Sequence, residues 1–465
     1  MSSSPAAAGG MGVPTAAAGG RLLGDLRSLF GLAVPIVVGL ICSALAGVVT
    51  SAVAAPLGPA ALGAVSLTAS VELVFVAALY GFLSPVGVLA AQAYGAADAV
   101  AVAAQRAAGW RLAATAGAGA VALMAASIAL LPWAGQPANV LDVLAPYWLW
   151  TAASLLPLAL LFAYKQLFDA IDRPWIAVTV MVASVAVHAV LSPWLVRGGA
   201  GLAPRGLAGA GIAGLLANLC GAVAMAWLAR RMPGPRQWLH ASEASWPAAL
   251  RLQRTEGVPM GLQYLLETGA NAVAGLFVGV FGAVALAANQ VTMSVTMTLY
   301  MLPLGMAAAV GIRMAQAVGA SDRGACWPLG KAALLAVTAW MTLASIGLAL
   351  FGAEIARLFG ADDAVVAVVA LIGVAVGVMQ VADGVQSVSL GALRGLLDSR
   401  WPTRVSLACY WGLALPSAWA LSHTADLGPA GVWLGFGAGL LVAAVALTLR
   451  LRRLTRGVVA QPRPL

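Results

Sequence analysis

A fixed offset of 224 residues carries the first half of this chain onto the second. Pro35 falls on Pro259, Gly58 on Gly282, Leu62 on Leu286, Thr68 on Thr292 and Ser70 on Ser294. Farther along, Gly87 falls on Gly311, Gln92 on Gln316, Gly95 on Gly319 and Asp98 on Asp322. One spacing held over so long a stretch is the mark of an internal duplication, so the fold must be two copies of one unit. The unit belongs in lipid, because hydrophobic residues make up 62% of the 465 and charged residues 9%. Those values lie far from the averages of soluble domains.

Hydrocarbon offers the backbone no hydrogen-bond partner, so each crossing must be a helix or part of a closed barrel. The apolar stretches run roughly 20 residues or more, a helical length and not the ~10 of a barrel strand. The expectation is an all-α integral membrane protein of twelve transmembrane helices, in two six-helix lobes. An even number of crossings per copy gives both copies the same orientation, so a pseudo-twofold axis along the membrane normal should relate them. The sequence divides into a disordered tail (1–20), a first lobe (21–229), a linker (230–255), a second lobe (256–449) and a basic tail (450–465). Of the 25 basic residues only Arg197, Arg205 and Arg357 map to the side opposite the termini. That asymmetry predicts that both termini are cytoplasmic. It also accounts for the net charge of +9 without any nucleic-acid partner. The four cysteines have no paired spacing and read as packing residues, outside any disulfide or metal framework.

Chemistry in such a chain should sit on acids away from the helix ends, because an Asp at mid-span costs roughly 2.5–3.5 kcal/mol on insertion scales. Three qualify: Glu72 in span 2, Glu267 in span 7 and Asp383 in span 10. Glu267 shares a helix face with Gln263, Tyr264 and Asn271. Asp383 has Gln380 three residues before it, with Gln386 and Ser387 three and four after. Two polar faces, each centred on a carboxylate in the same lobe, predict a common cavity. Like charges held together there favour taking up a proton or binding a hard cation such as Na⁺. The plainer alternative makes each acid a satisfied contact between helices. His188, mid-span, reads first as a buried neutral imidazole donating one hydrogen bond. Lys165 and Arg394, at span ends, are expected to snorkel to the headgroups.

The segment PMGLQYLLE, Pro259 to Glu267, resembles span 7 of the multidrug and toxic compound extrusion (MATE) family, in particular its NorM-type bacterial branch. VALAANQV ending at Val291, GIRMAQAVGA from Gly311 and ADGVQSVSLGALRGLLDSRWP from Ala382 resemble its spans 8 and 10 in order. The resemblance implies two six-helix lobes around a central cleft, and efflux of organic cations and other drugs in exchange for Na⁺ or H⁺. It implies that the acids matching Glu267 and Asp383 bind the coupling cation, Na⁺ at those carboxylates if sodium is the coupling ion. This chain departs from the family at Thr50, where many bacterial members carry an aspartate. A hydroxyl neither takes up nor releases a proton near neutral pH, which leaves open whether Glu72 takes that role. Asn289, before Gln290, stands where such members often have His.

The sequence therefore reads as a cation-coupled antiporter exporting amphipathic, mainly cationic, small molecules. The candidate residues are Glu267 and Asp383 for coupling, with Glu72, Thr50, Gln263, Tyr264, Asn271, Asn289, Gln290, Gln380, Ser387 and His188 around a cavity. No cofactor beyond the coupling ion is expected. The expected setting is a bacterial plasma (inner) membrane, with lipids and small-molecule cargo as partners and a monomer as the working unit. A flippase or exporter for a lipid-linked precursor or metabolite is the alternative, and would call for several Arg or Lys in the cavity. An intramembrane enzyme would need a His/Asp cluster or an activated Ser, and no such spacing occurs.

Overall fold

The computed structural model describes residues 18–134, 138–199, 201, 203–231, 236, 238 and 245–456. The first lobe comprises α1 (Ala18–Ala54), α2 (Pro59–Gly95), α3 (Ala99–Ser127), α4 (Ala138–Ala170), α5 (Pro174–Arg197) and α6 (Leu207–Arg231). The second comprises α7 (Trp246–Gly279), α8 (Ala283–Gly319), α9 (Cys326–Leu358), α10 (Asp363–Gly395), α11 (Arg400–Thr424) and α12 (Gly428–Arg456). Part of α11, Leu407–Ala414 and Ala420–Thr424, winds as π-helix.

Eleven of these helices are long and apolar enough to cross a membrane by length and composition alone. The remaining one, α7, carries Arg251, Arg254 and Glu256 in its first turns and Glu267 farther in. It starts ten residues before the expected 256 and so takes the last ten residues of the expected linker. Pro247 in its first turn suits a helix start, where a missing N–H costs nothing. The expected tail 1–20 lies outside the described residues up to 17, as do most of 232–244 and the last nine residues. The basic stretch from Arg450 to Arg456 is the final turns of α12, not a tail.

The duplication is visible in the backbone. Helices α2 and α8 have the same length and begin and end 224 residues apart. After each comes a non-glycine residue with positive φ, Ala97 and Ser321, and then an Asp that caps the next helix. Asp98 accepts from Ala101 N at 2.9 Å and Asp322 from Ala325 N at 3.2 Å. Both satisfy a donor that a helix start leaves unpaired.

The two lobes meet through exchanged partners: α2 packs on α7 and α8, and α1 packs on α8 and α9. Glycine permits the closest approaches. A Cβ on Gly95 would run into the Gln316 carbonyl, and one on Gly319 into the Gln92 carbonyl. These two contacts interconvert under the 224 offset, which is the reciprocity a twofold axis imposes. Both lie on the side of the membrane where α1 begins and α12 ends, here called the terminal side. Around them Arg313 pairs with Asp172 at 2.7 Å, and Gln316 donates to the Ala170 carbonyl at 3.0 Å. One apolar core runs through the first lobe and into the terminal-side parts of α8, α9, α10 and α12. On the far side the second lobe keeps a separate core, built around Val369, Val376, Trp433 and Phe436.

Candidate functional site

Closure at one end and separate cores at the other leave a cavity of about 720 Å³ between the lobes. Its wall on α8 stops at Ile312, seven residues or about 10 Å short of the helix end at Gly319. In the other direction it reaches Gly275 and Asn289, within two turns of the far ends of α7 and α8. Much of the wall is apolar, with Leu73, Val74 and Ala77 facing Met293, Met297 and Met301.

Two helix faces supply all of the wall's charged groups and about half of its polar ones. On α7 these residues are Tyr264, Glu267 and Asn271, spaced three and four apart. On α10 the sequence Gln380, Asp383, Ser387, Gly391 and Arg394 follows the same spacing for four turns. Both carboxylates are half-buried and lie within electrostatic reach of each other. Tyr300 reaches the same place from α8, within electrostatic reach of both acids. Asn271 donates to the backbone oxygen of Glu267 at 2.9 Å. The Tyr410 phenol is buried behind the acids, where Gln386 Nε2 donates to it at 2.6 Å. Asn289 lines the wall and accepts from Trp433 Nε1 at 3.0 Å. A ring of carboxylate, phenol and amide oxygens suits a hard cation or a proton, and its mouth of methionine and aromatic carbon suits an apolar cation.

Several residues read from the sequence as cavity candidates stand elsewhere. Glu72 is on the face of α2 turned to α4, beside Tyr147 within the first lobe. The two neighbouring cavity positions on that helix are Ser70 and Leu73. Thr50 is buried and bonds back to the Ala46 carbonyl at 3.1 Å, as a hydroxyl in a helix commonly does. Gln290 is exposed one residue beyond Asn289, on a different face. His188 is buried between α5 and α6, near the Ala210 backbone. Gln263 sits just behind the wall, fully buried, with its Oε1 bound to Arg394.

Neither span-end cation snorkels. Lys165 is buried against Asp169 on its own helix, at 2.6 Å. Arg394 turns inward to the cavity floor and donates to the Tyr264 hydroxyl at 3.0 Å and to Gln263 Oε1 at 3.2 Å. Its guanidinium also stacks over the Tyr264 ring at 4.6 Å. Small residues make this placement possible. Gly391 and Gly395 let α10 lie against the backbone of α8, and Gly81 makes room on α2 for the Tyr264 ring. The signal for Arg394 was present in the sequence, because the polar face of α10 extended by 3.6-residue steps from Asp383 reaches it. Tyr300 and Tyr410 had no comparable signal, since a tyrosine in an apolar helix is equally at home in packing.

Comparison with known proteins places this arrangement among transporters. The MatE family model matches residues 35–194 and 259–420, one copy per lobe. The multidrug resistance protein NorM of Burkholderia vietnamiensis is 32% identical over 444 residues, covering 93% of this chain and 95% of that protein. A second relative, the probable multidrug resistance protein NorM of Bradyrhizobium diazoefficiens, is 34% identical over 304 residues, 64% of this chain and 65% of its own length. Among solved structures, the Vibrio cholerae MATE transporter VcmN in its bent form superposes with a TM-score of 0.83 at 22% identity. That match covers 94% of this chain and 98% of VcmN.

Proposed function

Because this chain belongs to the MatE family of membrane transporters, we propose that it exports amphipathic, mainly cationic, small molecules in exchange for Na⁺ or H⁺. The observation that carries the proposal is the pairing of Glu267 and Asp383 in one cavity whose other walls are largely apolar. The names of its relatives support drug export as the task. With both termini in the cytoplasm, the contacts at Gly95 and Gly319 close the cytoplasmic side, and the cavity faces outward. An incoming cation neutralises the carboxylates, which weakens their hold on a positively charged cargo and releases it to the outside. Each charge crossing 100 mV contributes about 2.3 kcal/mol, so one or two coupling charges can drive roughly 50- to several-thousand-fold accumulation. Methionine and aromatic walls repack around different cargoes, which favours breadth over strict selection.

The test is efflux of a fluorescent lipophilic cation from cells lacking their major pumps, with Na⁺ and pH gradients imposed separately. Glu267→Gln and Asp383→Asn are expected to lose gradient-driven export while remaining in the membrane at normal abundance. Normal export by both variants would overturn the assignment of these acids.

A further inference from the structure

Arg394 is the one described cation on the cavity wall, and nothing in the export cycle above uses it. A guanidinium is always charged, and burying one is costly unless an anion compensates it. Here its two partners, the Tyr264 hydroxyl and Gln263 Oε1, are neutral, and its Nε is buried with no partner among the described residues. None of the described ion pairs includes it. Glu267 is close enough to be felt electrostatically, yet it stays outside pairing distance. Two of the five N–H donors are engaged, which leaves the fork short of the bidentate oxygen partner it is shaped for.

The position relative to the acids is also defined. Eleven residues separate Asp383 from Arg394 on α10, three turns to within about 20°, so both occupy one face roughly 16 Å apart along the axis. Glu267 stands between them, one turn along α7 from the two side chains that hold the guanidinium. The cavity is therefore dipolar, negative in its middle and positive at its terminal-side floor.

We propose that Arg394 is an anion subsite for cargo, taking the carboxylate of molecules that carry a positive group at one end and an acid at the other. This rests on the export reading, since it assumes that cargo occupies the cavity. The geometry also makes the subsite sensitive to the lobes. The Tyr264 ring under the guanidinium packs edge-on against Tyr80 of the first lobe at 5.7 Å and lies over Gly81. An anion drawn to Arg394 is thus held where the two lobes touch.

The experiment uses the purified full chain and two tritiated probes that differ at one group, ω-carboxypentyl triphenylphosphonium and its methyl ester. Wild type is expected to bind the acid at least as tightly as the ester. In Arg394→Gln the acid should weaken about tenfold or more, the loss expected for a charge-assisted hydrogen-bonded pair, while the ester stays within twofold. Arg394→Lys, which restores a point charge without the fork, should recover part of the acid's affinity. An unchanged acid-to-ester ratio in Arg394→Gln overturns the subsite and leaves the export reading standing. Tightening of both probes alike also overturns it, because the guanidinium would then be the counter-charge of Glu267. Should Arg394→Gln fail to fold, wild type decides by itself: a tenfold preference for the ester refutes the subsite. Wild type binding neither probe refutes the export reading, and the subsite with it.

Discussion

Replacing Gly95 by alanine is a perturbation whose effect should be confined almost wholly to the contact between lobes. The residue is helical with ordinary φ, so alanine fits its backbone and even gains up to about 1 kcal/mol of helix propensity. The added methyl would stand 2.7 Å from the Gln316 carbonyl carbon and 2.8 Å from its Cα, where ordinary contact begins near 3.4 Å. The obstacle is backbone, which cannot rotate aside, and its oxygen is nearer still, so α2 and α8 must separate by about 1 Å. Overpacking of this kind costs about 1–3 kcal/mol. Charged to the closed state alone, that shifts the closed–open equilibrium roughly 5- to 150-fold. Gly319→Ala meets the Gln92 carbonyl in the same way and should shift it equally, because the two contacts are copies. The assay is double electron–electron resonance between labels at Val100 and Arg323, both exposed on the terminal side. The four free cysteines would first be replaced. Gly119→Ala is the control, a helical glycine with open space around it. A distance distribution unmoved by Gly95→Ala and Gly319→Ala would refute the claim that these glycines hold the terminal side shut.

Lys165→Met should lower stability by about 3–5 kcal/mol, since it strands the buried Asp169 carboxylate, and Lys165→Met with Asp169→Leu should recover most of it; thermal unfolding in detergent measures both. Glu72→Gln and His188→Gln should each export the fluorescent cation under the same gradients as wild type, because neither side chain reaches the cavity. Loss of coupling in Glu72→Gln would show that the missing span 1 acid is replaced from α2 after all.

The reach of the sequence is clearest where helical spacing alone decides. Gln263, Tyr264, Glu267 and Asn271 were placed on one face by counting, and so were Gln380, Asp383 and Ser387. Counting cannot say what a face meets. Glu72 and Leu73 are neighbours about 100° apart on α2; Leu73 looks into the cavity and the carboxylate looks to Tyr147. Gln263 and Tyr264 differ in the same way, one buried behind the wall and the other on it. The helix α7 shows the opposite limit. Its charges hide it from an apolarity criterion, yet the repeat required a helix there, opposite α1.

By itself the chain determined how many helices form and where the two copies begin. These follow from local physics: backbone groups in lipid must bond within their own helix, and a duplicated sequence repeats its unit. Only the tertiary structure decided that Arg394 turns to the cavity instead of the headgroups, and that the lobes close on the terminal side. Both depend on glycines of one helix meeting the backbone of another, a coincidence of surfaces far apart in sequence that no count along one helix contains.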